Sequence, residues 1–372
     1  MRIPLSSPDI TESEIHAVTD VLRTPRLSLG PKLEEFQNAV AEYTGAAHAI
    51  AVNSGTSGLH LCIRALRLGE GDEVIVPSFA FVAVANAVRY ERAIPVFVDV
   101  DPETLNLDPA KVEAAITPRS RAILVVHTFG CPADLSSILS IAQRHGLLVI
   151  EDACEAIGAE YQGRKVGPLG DAGVFGFYPN KQITTGEGGM IVTQNSELAA
   201  LARALRNQGR SRAGEWLEHG EMGYNYRVSE INCALGIEQM KRLESILKKR
   251  DSVARGYHRR LSGNPELKLP PVDVPGRRIS WFVYVVRLGA HFTQRQRDWI
   301  WKEMASCGIG CGRYFAPIHL QPIYASDPRH DLPNTEWSAG RTLALPFFNN
   351  LRESEIDEVC QTLQELMKAA PD

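Results

Sequence analysis

Short apolar runs alternate with longer, helix-like stretches along the chain from residue 46 onward. The apolar runs are rich in β-branched residues and predict strands at AHAIAV, EVIVPS, IPVFVDV, RAILVVHT and LLVIEDA. Helices are predicted between them at LHLCIRAL, FVAVANAVRY, a segment after Asp108 and Pro109, and DLSSILSIAQRHG. This alternation is typical of right-handed βαβ units. It predicts a large α/β domain whose mostly parallel sheet is covered on both faces.

The pattern changes after the apolar run MIVT at residues 190–193. Helices are predicted at SELAALARALRNQG and, as one long element, from about Ser229 to Arg250. A proline-rich stretch, LKLPPVDVPG, then leads to a predicted strand at WFVYVVRLG and predicted helices at QRQRDWIWKEMASCG and ESEIDEVCQTLQELMKAA. The change near residue 250 predicts a large domain over residues 1–250 and a smaller α+β C-terminal domain over residues 251–372.

Composition and charge are those of an ordinary globular protein, with 44% hydrophobic residues and a formal net charge of −4 over 372 residues. No basic excess is available to neutralise a nucleic-acid backbone, so nucleic acid is not an expected partner. The first residues lack a cationic segment followed by a long apolar one, and no window of about 18 residues is uninterruptedly apolar. We therefore expect a cytoplasmic protein without a membrane partner.

The seven cysteines are scattered through apolar segments. Their odd number favours free, mostly buried thiols over a disulfide framework. Cys307 and Cys311 in CGIGC lie close together, but no histidine or second cysteine pair stands at the spacing of a zinc site. No metal site is expected.

Candidate functional residues follow the apolar runs, because ligands of parallel α/β sheets bind at the carboxyl ends of the strands. The turn NSGTSG at residues 53–58 either presents N–H groups and hydroxyls to an anion or is a plain helix N-cap. Asp152 ends an apolar run, where a carboxylate is costly unless it meets a cation such as a protonated ring nitrogen. Capping the next helix is its alternative role, and Glu151 beside it fits a structural role better.

Two more residues complete the candidate set. Phe81 follows an apolar run and could stack on a planar cofactor, although a core phenylalanine is the commoner outcome. Lys181, in FYPNKQITTGEGG, stands before glycines that let the backbone approach a bound group closely. These glycines disfavour the alternative of a surface lysine. A primary amine near a carboxylate and an anion-binding turn suggests imine chemistry with a carbonyl cofactor.

The four separate interpretations have one cofactor in common. A ring phosphate, a ring nitrogen, a ring face and an aldehyde are the four handles of pyridoxal 5'-phosphate (PLP). The turn at residues 53–58, Asp152, Phe81 and Lys181 match these handles in that order. The sequence therefore predicts a PLP site.

With these residues in place, the sequence closely resembles the DegT/DnrJ/EryC1/StrS family of PLP-dependent sugar aminotransferases. The resemblance implies an aspartate-aminotransferase-like large domain (PLP fold type I) and a small C-terminal domain. It runs almost end to end, through IPLSSPDIT, LSLGPKLEEF, VNSGTSGLHL, VPSFAFVAVANAV, FVDVDPETLNLDP, VVHTFGCPADL, IEDACEAIGAEYQGRKVGPLGDAGVFGFYPNKQITTGEGGMIVT, GYNYRVSEINCALGIEQM and YFAPIHLQPIY.

The resemblance also implies a role for each candidate residue. Lys181 is implied to form the Schiff base with the cofactor and, once freed, to move the proton between cofactor and sugar carbon. Asp152 is implied to keep the pyridine nitrogen protonated, and Phe81 to stack on the ring. Asn225 in GYNYR is implied to reach the phosphate of a neighbouring subunit, which predicts a homodimer with shared active sites. The phosphate is implied to contact Gly55, Thr56 and Ser57.

The sequence departs from the family pattern at two positions. Glu155 stands where the family usually has a glutamine that faces the ring hydroxyl. Gly176 stands where many relatives have a phosphate-binding serine, so that contact must come from the backbone or from elsewhere.

The implied reaction moves an amino group from glutamate to a keto group of a nucleotide-linked deoxysugar, for cell-surface polysaccharide such as lipopolysaccharide or for a natural product. NKQITTGEGG looks more like the branch with perosamine synthases, which aminate C4 of a 4-keto-6-deoxyhexose, than like branches reading KNLGAYGDGG. Tyr314 and His319 in YFAPIHLQPIY are implied to bind substrate.

Three alternative functions are open at this point. A PLP-dependent sugar dehydratase would carry histidine in place of the Schiff-base lysine, so Lys181 argues against it. A cyclitol-ketone aminotransferase would share every residue named so far. A non-enzymatic, PLP-bound regulator is disfavoured by the intact set of Lys181, Asp152 and the phosphate turn.

Overall fold

The computed structural model describes residues 1–210, 218–325 and 331–371, and thirteen strands form within them. Most of the longer strands consist of consecutive buried residues, as expected for a sheet covered on both faces. The strands are β1 His48–Val52, β2 Glu73–Pro77, β3 Ile94–Val98, β4 Ser120–Val126, β5 Leu148–Asp152, β6 Glu160–Tyr161, β7 Arg164–Lys165, β8 Ala172–Gly176, β9 Gly189–Thr193, β10 Leu267–Lys268, β11 Arg277–Arg278, β12 Tyr284–Leu288 and β13 Thr342–Leu345.

Twelve α-helices lie in the described ranges, and several of them begin at a side-chain cap. Asp134, Asn195 and Ser229 accept N–H bonds from the first turns of α6, α7 and α8, respectively. The helices are α1 Glu12–Leu22, α2 Pro31–Thr44, α3 Gly55–Ala65, α4 Ala83–Tyr90, α5 Pro109–Ala114, α6 Leu135–His145, α7 Ser196–Arg206, α8 Glu230–Lys241, α9 Leu243–Leu261, α10 Gln294–Ser306, α11 Pro333–Ala339 and α12 Glu353–Ala369.

A seven-stranded sheet forms the centre of the molecule, with the strand order β1-β9-β8-β5-β4-β2-β3. The pairs from β8 through β5, β4 and β2 to β3 are parallel. Strand β9 runs antiparallel to both β1 and β8. The prediction of an α/β fold with a mostly parallel sheet is therefore confirmed.

Alternate residues of the central strands enter two separate cores, one on each face of the sheet. In β4, Ile123 and Val125 belong to the core that also contains Phe36 of α2. Their neighbours Ala122, Leu124 and Val126 belong to the opposite core, beneath α3, α4 and α7. Because the side-chain period of a strand is two, an uninterrupted apolar run fills both cores at once.

The structure differs from the prediction in one strand that was not predicted and in one helix. Strand β8, Ala172–Gly176, lies next to β5 in the middle of the sheet although its sequence, AGVFG, does not stand out as a strand. The helix predicted from Ser229 to Arg250 is two helices, because α8 ends at Lys241 and α9 begins at Leu243. Arg242 separates them, and its guanidinium binds Asp9 and Glu14.

The C-terminal part forms a third core around the antiparallel sheet β10-β12-β13. Helices α9, α10 and α12 contribute to it, and so does Ile3, which pairs with Ile309 in a parallel bridge. The predicted boundary at residue 250 lies within the continuous helix α9. The division into residues 1–250 and 251–372 stays a prediction. None of the described helices has the length and apolar character needed to cross a membrane.

Candidate active site

The carboxyl ends of β1, β5 and β8 meet at one edge of the central sheet. An added Cβ at Gly55, just after β1, would lie 2.7 Å from the Sγ atom of Cys154, just after β5. An added Cβ at Gly189 would lie 2.5 Å from the carbonyl oxygen of Ser54. The absence of side chains at Gly55 and Gly189 therefore lets the segments that follow β1 and β5, and the start of β9, pack closely together. This end of the sheet holds the turn at residues 53–58 and Asp152.

The turn at residues 53–58 is held by its own side chains. Ser54 caps α3 by accepting the N–H of Ser57 at 3.0 Å. The Ser57 hydroxyl donates to the Asn53 side-chain oxygen at 2.6 Å. The amides of Gly55 and Thr56 belong to the first turn of α3, where N–H groups have no intrahelical acceptor and the helix dipole is positive. The turn is both an N-cap and a surface suited to a phosphate.

Asp152 ends β5 as a buried residue that is 9% exposed. Its carboxylate accepts the Cys154 N–H at 3.0 Å. The following residues, 153–158, form turns and not a helix, so the helix-cap alternative is wrong. The residue is a buried carboxylate at the open end of a strand, which is where a cation would balance it.

Glu151 has the structural role predicted for it. Its buried carboxylate accepts the N–H groups of Gly167, Leu169 and Gly170 at 2.7–2.8 Å. His127 lies 3.0 Å away through Nε2, while its Nδ1 accepts the Ala133 N–H at 3.1 Å. The proton is therefore on Nε2 and is donated to Glu151. The Glu151 carboxylate therefore holds the backbone of residues 167–170 against β5, the strand that ends at Asp152.

Lys181 lies in a turn and not on the surface, because its N–H donates to the Tyr178 carbonyl at 2.9 Å and its side chain is 15% exposed. The Nζ atom lies 3.6 Å from an oxygen of Glu155 and 4.0 Å from the ring centre of Phe282. The surface-lysine alternative is wrong. The amine is held between a carboxylate and an aromatic face.

Glu155 is a second buried carboxylate next to Asp152. One oxygen accepts the Phe129 N–H at 2.9 Å, and the other faces Lys181. Burial raises the pKa of Glu155 above its usual value, although Lys181 and the Phe129 N–H act against this. The group is therefore easier to protonate than an ordinary glutamate.

Three residues of the site, Gln182, Ser280 and Phe282, were not predicted from the sequence. The Gln182 amide donates to the backbone carbonyls of Glu155 and Ser280 at 2.6 and 2.9 Å. This clamp brings Phe282 to Lys181, and the Phe282 ring stacks at 6.3 Å on that of Tyr314. About a hundred residues of chain separate Gln182 from Ser280, so spacing along the sequence does not reveal the contact.

Phe81 is 63% exposed at the start of α4, so the alternative of a core phenylalanine is wrong. His319 has protein partners at both ring nitrogens, with the Ser78 hydroxyl at 2.7 Å and Glu336 at 3.2 Å. Substrate binding by His319 stays a prediction, and it would require one of these partners to be exchanged. The Tyr314 ring stacks on that of Phe282, and the Lys181 amine lies 4.0 Å from the centre of the same Phe282 ring.

The segment at residues 223–227 presents Asn225 as an exposed residue between the half-buried Tyr224 and Tyr226. Arg227, two residues on, has a partner in its own chain, because its guanidinium donates to the Asn207 side-chain oxygen at 3.0 Å. Gly176 also has a local explanation, because an added Cβ would lie 3.1 Å from the Cβ of Cys154. Cys154 thus fills the space beside Gly176.

The family follows from a comparison of this chain with known proteins. The model of the DegT/DnrJ/EryC1/StrS aminotransferase family matches residues 8–364. The chain belongs to this family. It is 43% identical over 370 residues to GDP-perosamine synthase of Caulobacter vibrioides, covering 98% of each chain. It is 38% identical over 383 residues to the spore coat polysaccharide biosynthesis protein SpsC of Bacillus subtilis, covering 99% of this chain and 98% of SpsC.

Solved structures of aminotransferases share the fold. DesV of S. venezuelae, solved in complex with a ketimine intermediate, is 36% identical, with a TM-score of 0.91 and 98% of each chain covered. Spr1654 from Streptococcus pneumoniae in its PLP-form is 26% identical, with a TM-score of 0.95 and 100% of each chain covered. The chain is a PLP-dependent sugar aminotransferase, as the resemblance implied.

The residues at the sheet edge fit this cofactor. The half-buried Lys181 amine lies 3.6 Å from the buried Glu155 carboxylate, and a second carboxylate, Asp152, ends β5. Gly55 of the turn and Gly176 of β8 let the backbone approach Cys154 closely. An amine can bind the aldehyde, a carboxylate can pair with the protonated ring nitrogen, and the N–H groups of a helix N-terminus can donate to the phosphate.

Proposed function

We propose that the enzyme transfers an amino group from glutamate to the C4 keto group of a nucleotide-linked 4-keto-6-deoxyhexose. The observation that carries the proposal is the 43% identity to GDP-perosamine synthase over nearly the whole of both chains. The segment NKQITTGEGG, which contains Lys181, supports the same branch. We further propose that the product is a deoxyamino sugar for a polysaccharide.

The cofactor is assigned to residues at the sheet edge. We assign its ring nitrogen to Asp152 and one face of its ring to Phe81, which follows β2 and is 63% exposed. Its ring hydroxyl is assigned to Glu155, and its aldehyde to Lys181. The phosphate is assigned to the first turn of α3, at Gly55, Thr56 and Ser57.

Bound in this way, the cofactor provides an electron sink for the electron pair left when a proton leaves the carbon that carries the amine. The Lys181 amine, when free, is the base that accepts this proton and returns it. Glu155 lies 3.6 Å from that amine, and because burial raises its pKa it is a weaker ion-pair partner than an ordinary glutamate, so the amine is not locked in a strong ion pair. Asp152 is the anion that keeps the ring nitrogen protonated.

Tyr314 is proposed to contact the sugar. Burial raises the pKa of its hydroxyl, which keeps the group a neutral donor at physiological pH. Its ring stacks on Phe282, whose ring centre lies 4.0 Å from the Lys181 amine, so a substrate held by the hydroxyl would lie near Lys181. His319 is proposed to reach the substrate from the segment beside Ser78.

The active enzyme is proposed to be a homodimer with two shared sites. Asn225 is exposed and is flanked by two tyrosines fixed to its own chain, so its amide is available to a second copy. Two-fold symmetry would return the same contact to the first copy.

The test is a substrate panel. The PLP-loaded enzyme is incubated with glutamate and, separately, with nucleotide-linked 4-keto sugars, nucleotide-linked 3-keto sugars and a cyclitol ketone, and the products are analysed by mass spectrometry. Amination of the 4-keto sugars is expected, with amination at C4 verified by NMR. Exclusive amination of the 3-keto sugars or of the cyclitol ketone would refute the assignment. The Lys181→Ala variant is the control for non-enzymatic amination.

A further inference from the structure

A buried carboxylate outside the cofactor site connects the elements that build that site. Glu91 follows α4, the helix that begins just after Phe81, and its side chain is 9% exposed. One of its oxygens accepts the Tyr224 hydroxyl at 2.8 Å and lies 2.8 Å from His60 Nε2. The other accepts Arg64 at 3.1 Å. His60 and Arg64 lie on α3, the helix that begins at the phosphate turn.

The hydrogen-bond directions in this cluster follow from the carboxylate. Because Glu91 is an acceptor, His60 Nε2 carries the proton, and His60 Nδ1 is left to accept the Tyr226 hydroxyl at 3.0 Å. Burial lowers the pKa of His60, which keeps the ring in this neutral form, although Glu91 acts in the opposite direction. Glu91 therefore holds Tyr224 directly and Tyr226 through His60.

The two tyrosines are neighbours of Asn225 on an extended segment. Their rings stack at 5.0 Å with an angle of 9°, so both side chains lie on one face. Asn225 forms a single bridge with Asn207 there, and in extended backbone the residue between two others faces the opposite side. Asn225 is exposed on that side, and fixing the tyrosines fixes the direction of its side chain.

The same segment also holds the phosphate turn. The Tyr226 carbonyl accepts the Asn53 N–H at 3.0 Å. Asn53 in turn accepts the Ser57 hydroxyl at 2.6 Å. The Tyr226 backbone is thus held by Asn53 and, through its own N–H, by the Arg206 carbonyl at 3.0 Å, so loss of the contacts to its side chain is expected to reach Asn225 and not the turn.

We propose that Glu91 is a positioning residue that, through Tyr224, His60 and Tyr226, sets the Asn225 side chain in place for the cofactor phosphate of a second copy of this chain. This inference rests on the shared site of the proposed function. In this proposal Glu91 contacts neither the cofactor nor the substrate, and its effect is on the affinity for the cofactor.

The experiment measures PLP binding to cofactor-stripped full-length protein by absorbance titration, without substrate. Glu91→Gln replaces one acceptor oxygen by an amide N–H group, which cannot accept from Arg64 or from Tyr224 and His60. Tyr224→Phe removes the hydroxyl that donates to Glu91. Each variant is expected to weaken PLP binding about tenfold, the usual effect of breaking one buried hydrogen bond to a charged group. In the Glu91→Gln/Asn225→Ala double variant, binding is expected to be no weaker than in Asn225→Ala alone, because both changes remove the same contact, the one between Asn225 and the phosphate.

Glu73→Gln is the matched control. Glu73 is also buried and also bonded to a hydroxyl and an arginine, Thr117 and Arg119, but it begins β2 at the opposite edge of the sheet. It is expected to lower the unfolding temperature as Glu91→Gln does while leaving PLP binding unchanged.

The remaining outcomes separate two failures. If Asn225→Ala binds PLP as the parent does, the shared site itself is wrong. If Asn225→Ala binds weakly while Glu91→Gln behaves like Glu73→Gln, the role of Glu91 alone is overturned. Fold changes that multiply in the double variant would also overturn it, because Glu91 would then act by a route that does not include Asn225.

Discussion

The environment of the Lys181 amine differs from that of a comparable lysine elsewhere in the chain. Lys181 lies 3.6 Å from Glu155 and 4.0 Å from the ring centre of Phe282. Lys165 has the same two kinds of neighbour, Glu160 at 2.8 Å and the ring of Tyr43 at 4.6 Å. The Lys165 ion pair is shorter, so its ammonium is the more firmly held of the two. A loosely paired amine is the one suited to exchange its proton for a covalent bond.

Lys181→Ala is predicted to abolish both the absorbance of the lysine-bound cofactor and turnover, because no other amine takes that place. The spectrum is recorded after PLP addition, and turnover is followed with glutamate and the keto sugar. Lys165→Ala is the control and should retain both signals. An unchanged spectrum together with activity in Lys181→Ala would show that a different residue binds the cofactor.

Asp152→Asn is predicted to keep the fold and to lower kcat by on the order of 100-fold or more, since an amide cannot stabilise a protonated ring nitrogen. Circular dichroism checks the fold and steady-state kinetics the rate. Asp171→Asn is the control, because Asp171 accepts the Val149 N–H at 2.7 Å near the opposite end of the same strands. Turnover within a few-fold of the parent would reduce Asp152 to a turn-forming residue.

At the scale of elements, the apolar runs were sufficient to predict most of the central sheet. β-Branched runs predicted β1 to β5 because each buries residues on both faces. The run AGVFG escaped prediction because it has glycines at positions 173 and 176 and little β-branched character, and its pairing with β5 and β9 makes it a strand. The break at Arg242 was also hidden, because it depends on acids at Asp9 and Glu14, more than 200 positions away.

The site was predictable where a residue follows a strand and not where it enters from another part of the fold. Asp152 and the turn at residues 53–58 were found because the carboxyl ends of parallel strands share an edge. Phe282 and Gln182 were missed because the Gln182–Ser280 hydrogen bond and the Lys181–Phe282 contact join parts of the chain about a hundred residues apart. Glu91 was missed because a single acid after a helix has no distinguishing pattern. The resemblance to the family supplied the remaining residues.

Gly189→Ala tests the contact between β9 and the phosphate turn. The added Cβ would lie 2.5 Å from the Ser54 carbonyl oxygen and 2.8 Å from the Gly55 nitrogen, and neither backbone atom can rotate away. We predict a loss of about 2 kcal/mol or more in the free energy of unfolding, together with weaker PLP binding. Urea unfolding and PLP titration measure the two effects. Gly263→Ala is the control, since its Cβ would meet nothing within 4 Å. Parent-like values in Gly189→Ala would mean that the turn is not in close contact.

At the scale of the whole molecule, Asp9 joins the N-terminal segment to α8, α9 and the C-terminal part. Burial alone would raise the pKa of Asp9, but hydrogen bonds from Lys249, Arg242 and Asn349 lower it to about 2. The unfolded chain takes up this proton near pH 3.8 and the folded chain near pH 2, so the unfolded state binds more protons in between. The stabilisation is complete above pH 3.8 and is lost as the pH falls towards 2.

Asp9→Asn is predicted to lower the free energy of unfolding at neutral pH by about 2 kcal/mol and to reduce its dependence on pH below 4. Urea unfolding from pH 7 to pH 3 measures both. Asp20→Asn is the control, because Asp20 is 73% exposed and pairs with an equally exposed arginine. An Asp9→Asn variant with the slope of the parent would mean that other carboxylates cause the acid sensitivity.

Complementation tests the shared sites of the dimer. Asn225→Ala and Lys181→Ala chains are each predicted to be nearly inactive, yet a hybrid dimer would hold one site with both defects and one with neither. After random exchange of equal amounts, activity is predicted to recover to about a quarter of the parent value. Subunit exchange is verified with two affinity tags. Exchange without recovery would mean that Asn225 serves its own chain.

The bridge between Ile3 and Ile309 also determines when the molecule can be completed during synthesis. Ile3 leaves the ribosome about 300 residues before its partner, and at about 5–20 residues per second this delay is tens of seconds. The central sheet can form in that time, because its last strand ends at Thr193. The third core cannot, since it needs Ile3 together with α12. The segment around Ile3 is therefore among the last to be buried, and until then it is open to proteases and chaperones.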